Sequence, residues 1–191
     1  RMLDVGCAYD LFHDRMQIEG YPVGQWVGDL TDHAVHVLRV IIKQQYHFDP
    51  GNNDTFDAIV QEALRHAYDP IQDYLDALKW DGKARLDTWM TDYLGAELTA
   101  FNCAAGRLAL IAAVRRARQP GYKFDQILVL EGPEGRGKSS AIELLAGAEN
   151  FSDQSILTLD DKGQQEALQG VWLYEIADLA GHSRTEVERV K

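Results

Sequence analysis

Residues 127–140 read Ile-Leu-Val-Leu-Glu-Gly-Pro-Glu-Gly-Arg-Gly-Lys-Ser-Ser, and the reading of this stretch decides the fold. Ile127, Leu128, Val129 and Leu130 form a short apolar run bounded by turn signals, the pattern of a strand buried on both faces of a parallel sheet. Gly132 to Ser139 then fills every position of the phosphate-binding loop pattern, a glycine, four residues, and Gly-Lys-Ser or Gly-Lys-Thr. Glycine is needed there because backbone N–H groups must converge on phosphate oxygens in conformations and at distances that a side chain obstructs; Gly132, Gly135 and Gly137 supply that freedom. Lys138 is expected to reach the β- and γ-phosphates as a point charge and Ser139 to bind Mg2+ through its hydroxyl, with Ser140 as a further donor. Pro133, Glu134 and Arg136 complete the loop that would surround ATP. A helix predicted over 141–145 offers its positive end to the triphosphate. Strand, loop and helix in this order separate the motif from a chance glycine-rich surface loop.

Such a loop needs an acidic partner at the end of a neighbouring strand, to hold Mg2+ and orient water. A second buried strand is predicted over 171–176, and Glu175 lies on it, 37 residues after Lys138, far enough for one crossover helix. Asp178 follows three residues later. Glu175 is assigned to the metal and Asp178 to polarising the attacking water; the two roles could be exchanged, and Asp178 could be a helix cap.

Upstream of the loop the pattern is helical. Residues 1–29 hold short apolar clusters broken by glycines, with 11–18 read as a strand entering a turn. From Thr31 to about Gln45, Val35, Leu38, Ile41 and Ile42 fall at helical spacing behind a Thr31 or Asp32 cap. Pro50 and Gly51 make a turn, and a second helix is expected from about Thr55, with Phe56, Ile59, Val60, Ala63 and Leu64 on one face. Asp69 before Pro70 is a cap followed by proline at the first helical position, giving a third helix over 71–78. A fourth is expected over 85–94, carrying Leu86, Trp89, Met90 and Tyr93 until Gly95 stops it. The longest helix is expected within 97–118, ended by Pro120-Gly121.

Composition limits the function. The chain has 191 residues, 46% apolar and 26% charged, as a folded globular protein does. Nineteen Lys and Arg against thirty Asp and Glu give a net charge of −11, so bulk charge cannot wrap nucleic acid and any such contact has to be local. The longest apolar run, 108–114, is too short to span a bilayer, so no membrane segment is expected. Cys7 and Cys103 fit neither a disulfide framework nor a metal-site spacing, which points to a reduced, cytoplasmic setting. A first residue other than Met and a charged helical pattern at the C-terminus suggest a piece of a longer protein.

Several spaced motifs together resemble the virulence-associated E family: Trp80-Asp81-Gly82-Lys83, Arg85-Leu86-Asp87, Pro120-Gly121-Tyr122-Lys123-Phe124-Asp125, Leu130-Glu131-Gly132, Gly137-Lys138-Ser139-Ser140, Phe151-Ser152-Asp153 and Gly170-Val171-Trp172-Leu173-Tyr174-Glu175. The similarity is strong from about residue 69 onward and looser before it. These are P-loop ATPases of phages, plasmids and pathogenicity islands. The resemblance implies an α/β fold, a partial P-loop NTPase core of the AAA+ and superfamily 3 helicase type preceded by a mostly helical region. It implies three segments: 1–68, a mainly helical linker domain for which a winged helix is one form; 69–119, a helical lead-in; and 120–191, the first part of the ATPase core. It further implies ATP and Mg2+ as cofactors, DNA as partner, a homo-oligomeric ring such as a hexamer, an associated primase domain and a setting in the bacterial host cytoplasm. The family's second acid is often glutamate; Asp178 is one methylene shorter. A polar sensor and an arginine finger would lie beyond Lys191, so hydrolysis by this chain alone should be weak or absent.

Other features carry less. Arg107, Arg115, Arg116, Arg118 and Lys123 are read as a solvated helix face, Trp80, Trp89 and Trp172 as core residues, and His33, His36 and His182 as surface. Besides a DNA helicase or origin-remodelling ATPase, two readings stay open: a nucleotide-gated, non-catalytic assembly module, and a small-molecule kinase using the same loop.

Overall fold

The computed structural model describes residues 3–156 and 159–176. The chain divides into two compact units, Arg1–Asp73 and Tyr74–Lys191, and its build is mixed α/β, helices with small sheets.

A hairpin organises the first unit. β1 (Gly6–Asp10) and β2 (Arg15–Glu19) pair antiparallel, with Cys7 opposite Ile18 and Asp10 opposite Arg15. Residues 11–14 form the turn, so the stretch 11–18 is a turn entering a strand, the reverse of the expected order. Asp10 is the reason. Its Oδ1 accepts from the backbone N–H of Phe12 and of His13 at 3.1 and 3.0 Å, which bends the chain directly after β1. Its Oδ2 lies 2.7 Å from His13 Nδ1 and accepts from Arg15 Nε at 3.4 Å. Asp10 is only 1% exposed; these donors replace the water that a buried charge loses.

β3 (Gly28–Asp29) adds antiparallel to β2, and β4 (Ala67–Tyr68) adds parallel to β1, giving the order β3-β2-β1-β4. A parallel addition needs a long crossover, which here includes α1 (Asp32–Tyr46) and α2 (Gly51–Arg65). Residues 1–68 thus carry two long helices and, beside them, a sheet that the sequence did not announce because its strands are too short to show alternation. Thr31 caps α1 as expected, its Oγ1 accepting from the Ala34 N–H at 3.2 Å, and Val35 and Leu38 enter the core with Ile18 and Val23. α2 starts four residues before Thr55, with Pro50 at its N-cap. Its buried line is Thr55, Ile59 and Ala63, while Phe56 and Leu64 are exposed; four-residue spacing makes a narrower stripe than the expected face.

Between these helices Asp49 accepts from Arg39 Nε and Nη2 at 2.7 and 3.1 Å, from Lys43 Nζ at 3.0 Å and from the Gly51 N–H at 3.2 Å. These donors, Arg39 first, hold its carboxyl well below the ordinary carboxylate range. A depressed folded pKa stabilises fully above the unfolded value, about 4, and the contribution is lost as pH falls through the lower folded value. Asp49→Asn is expected to lower the melting temperature at pH 7, and the gap from wild type should narrow steadily in melts run below pH 4.

α3 (Pro70–Ala77) begins as expected, Asp69 Oδ1 accepting from the N–H groups of Ile71 and Gln72, both at 3.0 Å. In the second unit the helix expected over 85–94 forms only as α4 (Trp89–Leu94). Arg85 is drawn into a two-bond pair with Asp81 at 2.8 and 2.7 Å, and its carbonyl closes a turn on the Thr88 N–H at 3.1 Å. Trp89 and Met90 are buried; Leu86 and Tyr93 are exposed. α5 (Ala100–Arg118), the longest helix, is capped by Thr99, whose Oγ1 accepts from the Asn102 N–H at 3.1 Å. A Cβ on its Gly106 would lie 2.7 Å from Trp89 Nε1 and 2.8 Å from Met90 Sδ, so the missing side chain lets α4 pack closely.

α6 (Lys138–Ala146), β5 (Phe151–Ser152), α7 (Asp161–Leu168) and β6 (Leu173–Tyr174) follow. β5 and β6 are parallel, with Phe151 opposite Leu173 and Ser152 opposite Tyr174. The run 127–130, expected to be a buried strand, is not one: Ile127 and Val129 are 51% and 57% exposed, and among the described residues no strand pairs with it. Apolar content signals burial, but a strand also requires a neighbour to take its backbone N–H and C=O groups. The strand expected over 171–176 contracts to Leu173–Tyr174 for a related reason. The Trp172 N–H still donates to Asn150 O at 2.7 Å beside β5, but the Val171 N–H turns back to Leu168 O at 3.3 Å, and α5 holds both residues as well, Arg116 donating to Val171 O at 3.0 Å and Trp172 Nε1 to Ala113 O at 2.9 Å. No described helix is long and apolar enough to cross a membrane.

Candidate functional site

The loop after residue 131 runs into α6 and meets the end of β6. Gly135 and Gly137 have φ of +72° and +77°, a region that costs a residue with a Cβ roughly 1–2 kcal/mol, so the path of the loop itself requires these two glycines. Gly132 differs, since a Cβ there would meet nothing within 4 Å; only a group seated in the loop would make glycine necessary. Because Gly137 is its N-cap, α6 has no side-chain cap, and its first N–H groups have no partner within the helix.

Lys138 folds back over the loop. Its Nζ donates to the carbonyl oxygens of Gly132 and Pro133 at 2.9 and 3.0 Å. One residue on, the Ser139 hydroxyl donates to Glu175 Oε1 at 2.7 Å. The Glu175 N–H donates to Ser152 O at 2.9 Å, continuing the β5–β6 ladder and fixing the backbone from which the carboxylate extends. Glu175 Oε2 is buried and, among the described residues, has no hydrogen-bond partner. A carboxylate oxygen in that position is costly until a cation or a donor reaches it.

The donor set fits Mg2+. That ion takes one or two protein oxygens and keeps the rest of its octahedron for water and phosphate, and a serine hydroxyl beside a carboxylate offers such a pair. Among the described residues no three His, Cys, Asp or Glu cluster as a metal site. Glu134, Arg136 and Ser140 are exposed and make no side-chain bond among the described residues. Asp178 and His182 lie outside the described residues.

Residues 75–191 match the family model of the virulence-associated protein E-like domain. The match covers more than half of the chain. The chain belongs to this family. No curated protein matches it. The virulence-associated protein E-like domain begins next to the start of the second unit at Tyr74, and it contains the loop, Lys138, Ser139 and Glu175.

Sequence reasoning places Ser139 and Glu175 on one metal but does not anticipate that they bond each other, nor that Lys138 is held by its own loop. The basic residues in and after α5 are all exposed, as expected of a solvated face, and are engaged there: Arg107 pairs with Asp87 at 2.6 Å, Arg118 pairs with Asp76, Lys123 pairs with Asp125 at 3.3 Å, Arg116 holds Val171, and Arg115 sits 3.5 Å above the Tyr122 ring. Trp80, expected in the core, is 80% exposed, whereas Trp89 and Trp172 are buried as expected. The signal for Trp80 was its place before Asp81-Gly82, a turn dipeptide rather than a helix face.

Proposed function

We propose that the chain binds ATP with Mg2+ at residues 132–140 and Glu175, as part of a replication ATPase of a phage or plasmid. The bond between Ser139 and Glu175 carries this reading: it joins the first turn of the helix after a glycine loop to an acid at a strand end, beside an orphaned carboxylate oxygen. In the bound state Lys138 exchanges the Gly132 and Pro133 carbonyls for phosphate oxygens, the uncapped start of α6 receives negative charge, and Ser139 and Glu175 hold the metal. Mg2+ supplies charge neutralisation at the β- and γ-phosphates. Membership of the virulence-associated protein E-like family supports a phage- or plasmid-associated protein. The fuller role we propose is a P-loop ATPase core that acts as a helicase or origin remodeller on DNA. It works in the cytoplasm as a ring of copies, a hexamer in the form the resemblance implies, together with a primase domain.

Calorimetric titration of the chain with ATP tests the site. Binding is expected with Mg2+ and should weaken clearly in EDTA, because Glu175 next to the triphosphate is repulsive without the cation. Absence of binding in both conditions would remove ATP from the site, and equal binding in both would remove Mg2+ from it.

A further inference from the structure

The segment around Trp80 is built to present its ring. The indole is 80% exposed, yet its Nε1 donates to Lys83 O at 3.1 Å, so the ring is tethered at its edge. The Lys83 N–H donates to Asp81 Oδ1 at 3.1 Å, and Gly82 turns between them with φ of +84°. Arg85 locks Asp81 with two bonds and also reaches Lys83 O at 3.5 Å. An exposed tryptophan that were a packing residue would have no use for this frame.

The surrounding charge is one-sided. Asp81 is neutralised by Arg85, Asp76 by Arg118 and Asp87 by Arg107. Lys79 and Lys83 are exposed and have no ion pair among the described residues. In a chain of net charge −11, the stretch 79–85 is thus a small cationic spot with an aromatic ring at its centre. Base-stacking rings flanked by backbone-contacting cations are the means by which proteins hold single strands without reading sequence. A duplex hides its base faces, so the indole has nothing to stack on there.

We propose that the Trp80 turn is a contact for single-stranded nucleic acid, the indole stacking on one base while Lys79 and Lys83 meet the flanking phosphates. This rests on the proposed DNA partner of the chain and is independent of the ATP site.

The test is fluorescence anisotropy of a dye-labelled 15-nucleotide oligo-dT titrated with the chain at low salt and without nucleotide, so failure of the ATP titration leaves it interpretable. Trp80→Ala is expected to weaken binding at least about fivefold. Trp80→Phe, which keeps a ring but not the indole N–H, should retain most of the affinity, separating stacking from the integrity of the turn. Lys83→Ser keeps both backbone bonds of the turn and should weaken binding while lowering the salt slope by about 0.7. Iodide quenching of tryptophan emission should fall on adding oligo-dT to wild type and stay unchanged for Trp80→Phe, since Trp89 and Trp172 are buried and the half-buried Trp26, stacked on His33, is not part of the turn. The proposal is overturned if the chain does not bind oligo-dT, if Trp80→Ala binds it as wild type does, or if a duplex or a polyglutamate peptide is preferred. It is equally overturned if Trp80→Ala abolishes self-association while leaving oligo-dT affinity unchanged.

Discussion

Gly20→Ala is expected to lower the melting temperature of the chain by about 10 °C or more. Gly20 has φ of +120° and ψ of 150°, a region that is essentially reserved for glycine and costs other residues about 1–3 kcal/mol. A Cβ there would also lie 2.3 Å from the carbonyl oxygen of Asp4 and 3.0 Å from the Cα of Val5. Both are backbone atoms, so no rotamer relieves the clash; the approach to β1 or the exit from β2 has to move, although Gly6 and Glu19 are paired across them. Val23, which is 1% exposed, donates its N–H to Gly20 O at 3.2 Å and would move too. Strain and displacement together are worth about 3 kcal/mol or more, a large part of a typical stability of roughly 5–15 kcal/mol. Gly6→Ala is the control. The three atoms nearest its Cβ all belong to the Glu19 side chain, Oε1 at 2.8 Å and Cγ at 2.9 Å foremost, and this exposed side chain can turn into solvent, so a change within about 1 kcal/mol is expected. Melts followed by far-UV circular dichroism compare the two; equal melting of both variants with wild type would mean that the approach at Gly20 is not this close.

Gly20 also shows where sequence reading reached its limit. A glycine before Tyr21-Pro22 signals a turn, but nothing local reveals that a carbonyl sixteen residues earlier closes on it. The helices were legible because their causes are local: Thr31, Asp69 and Thr99 are caps whose acceptors serve N–H groups two or three residues away. The strands were not, because pairing is a property of two segments. The hairpin follows from Asp10 bending residues 11–14, and the run 127–130 has the composition of a strand without the partner that would make it one. The site shows the same division. Glycines and a lysine at fixed spacing could be read directly, and so could an acid on an apolar run. That Ser139 and Glu175 touch depends on β5 and β6 pairing in parallel, which no spacing within the sequence encodes.

Lys138→Ala should reduce Mg-ATP affinity roughly 100-fold or more, the largest functional effect expected. A hydrogen bond to a charged group contributes about 1.5–3 kcal/mol, Lys138 would make such contacts to two phosphates, and 1.4 kcal/mol is a factor of ten. Folding should change little, because the two carbonyls that Lys138 Nζ now holds lie in an exposed loop where water can replace it. Glu175→Gln separates the metal from the loop. The amide keeps an oxygen to accept from Ser139 Oγ but removes the charge beside the orphaned Oε2 position. Its affinity for ATP in EDTA should therefore equal or exceed that of wild type, since a repulsive charge is gone, while the enhancement by Mg2+ should largely vanish. Titrating both variants with and without Mg2+ gives two different signatures, loss of binding throughout for Lys138→Ala and loss of metal dependence alone for Glu175→Gln. If Lys138→Ala binds Mg-ATP as wild type does, the lysine serves only to clasp Gly132 and Pro133, and the loop is a structural turn.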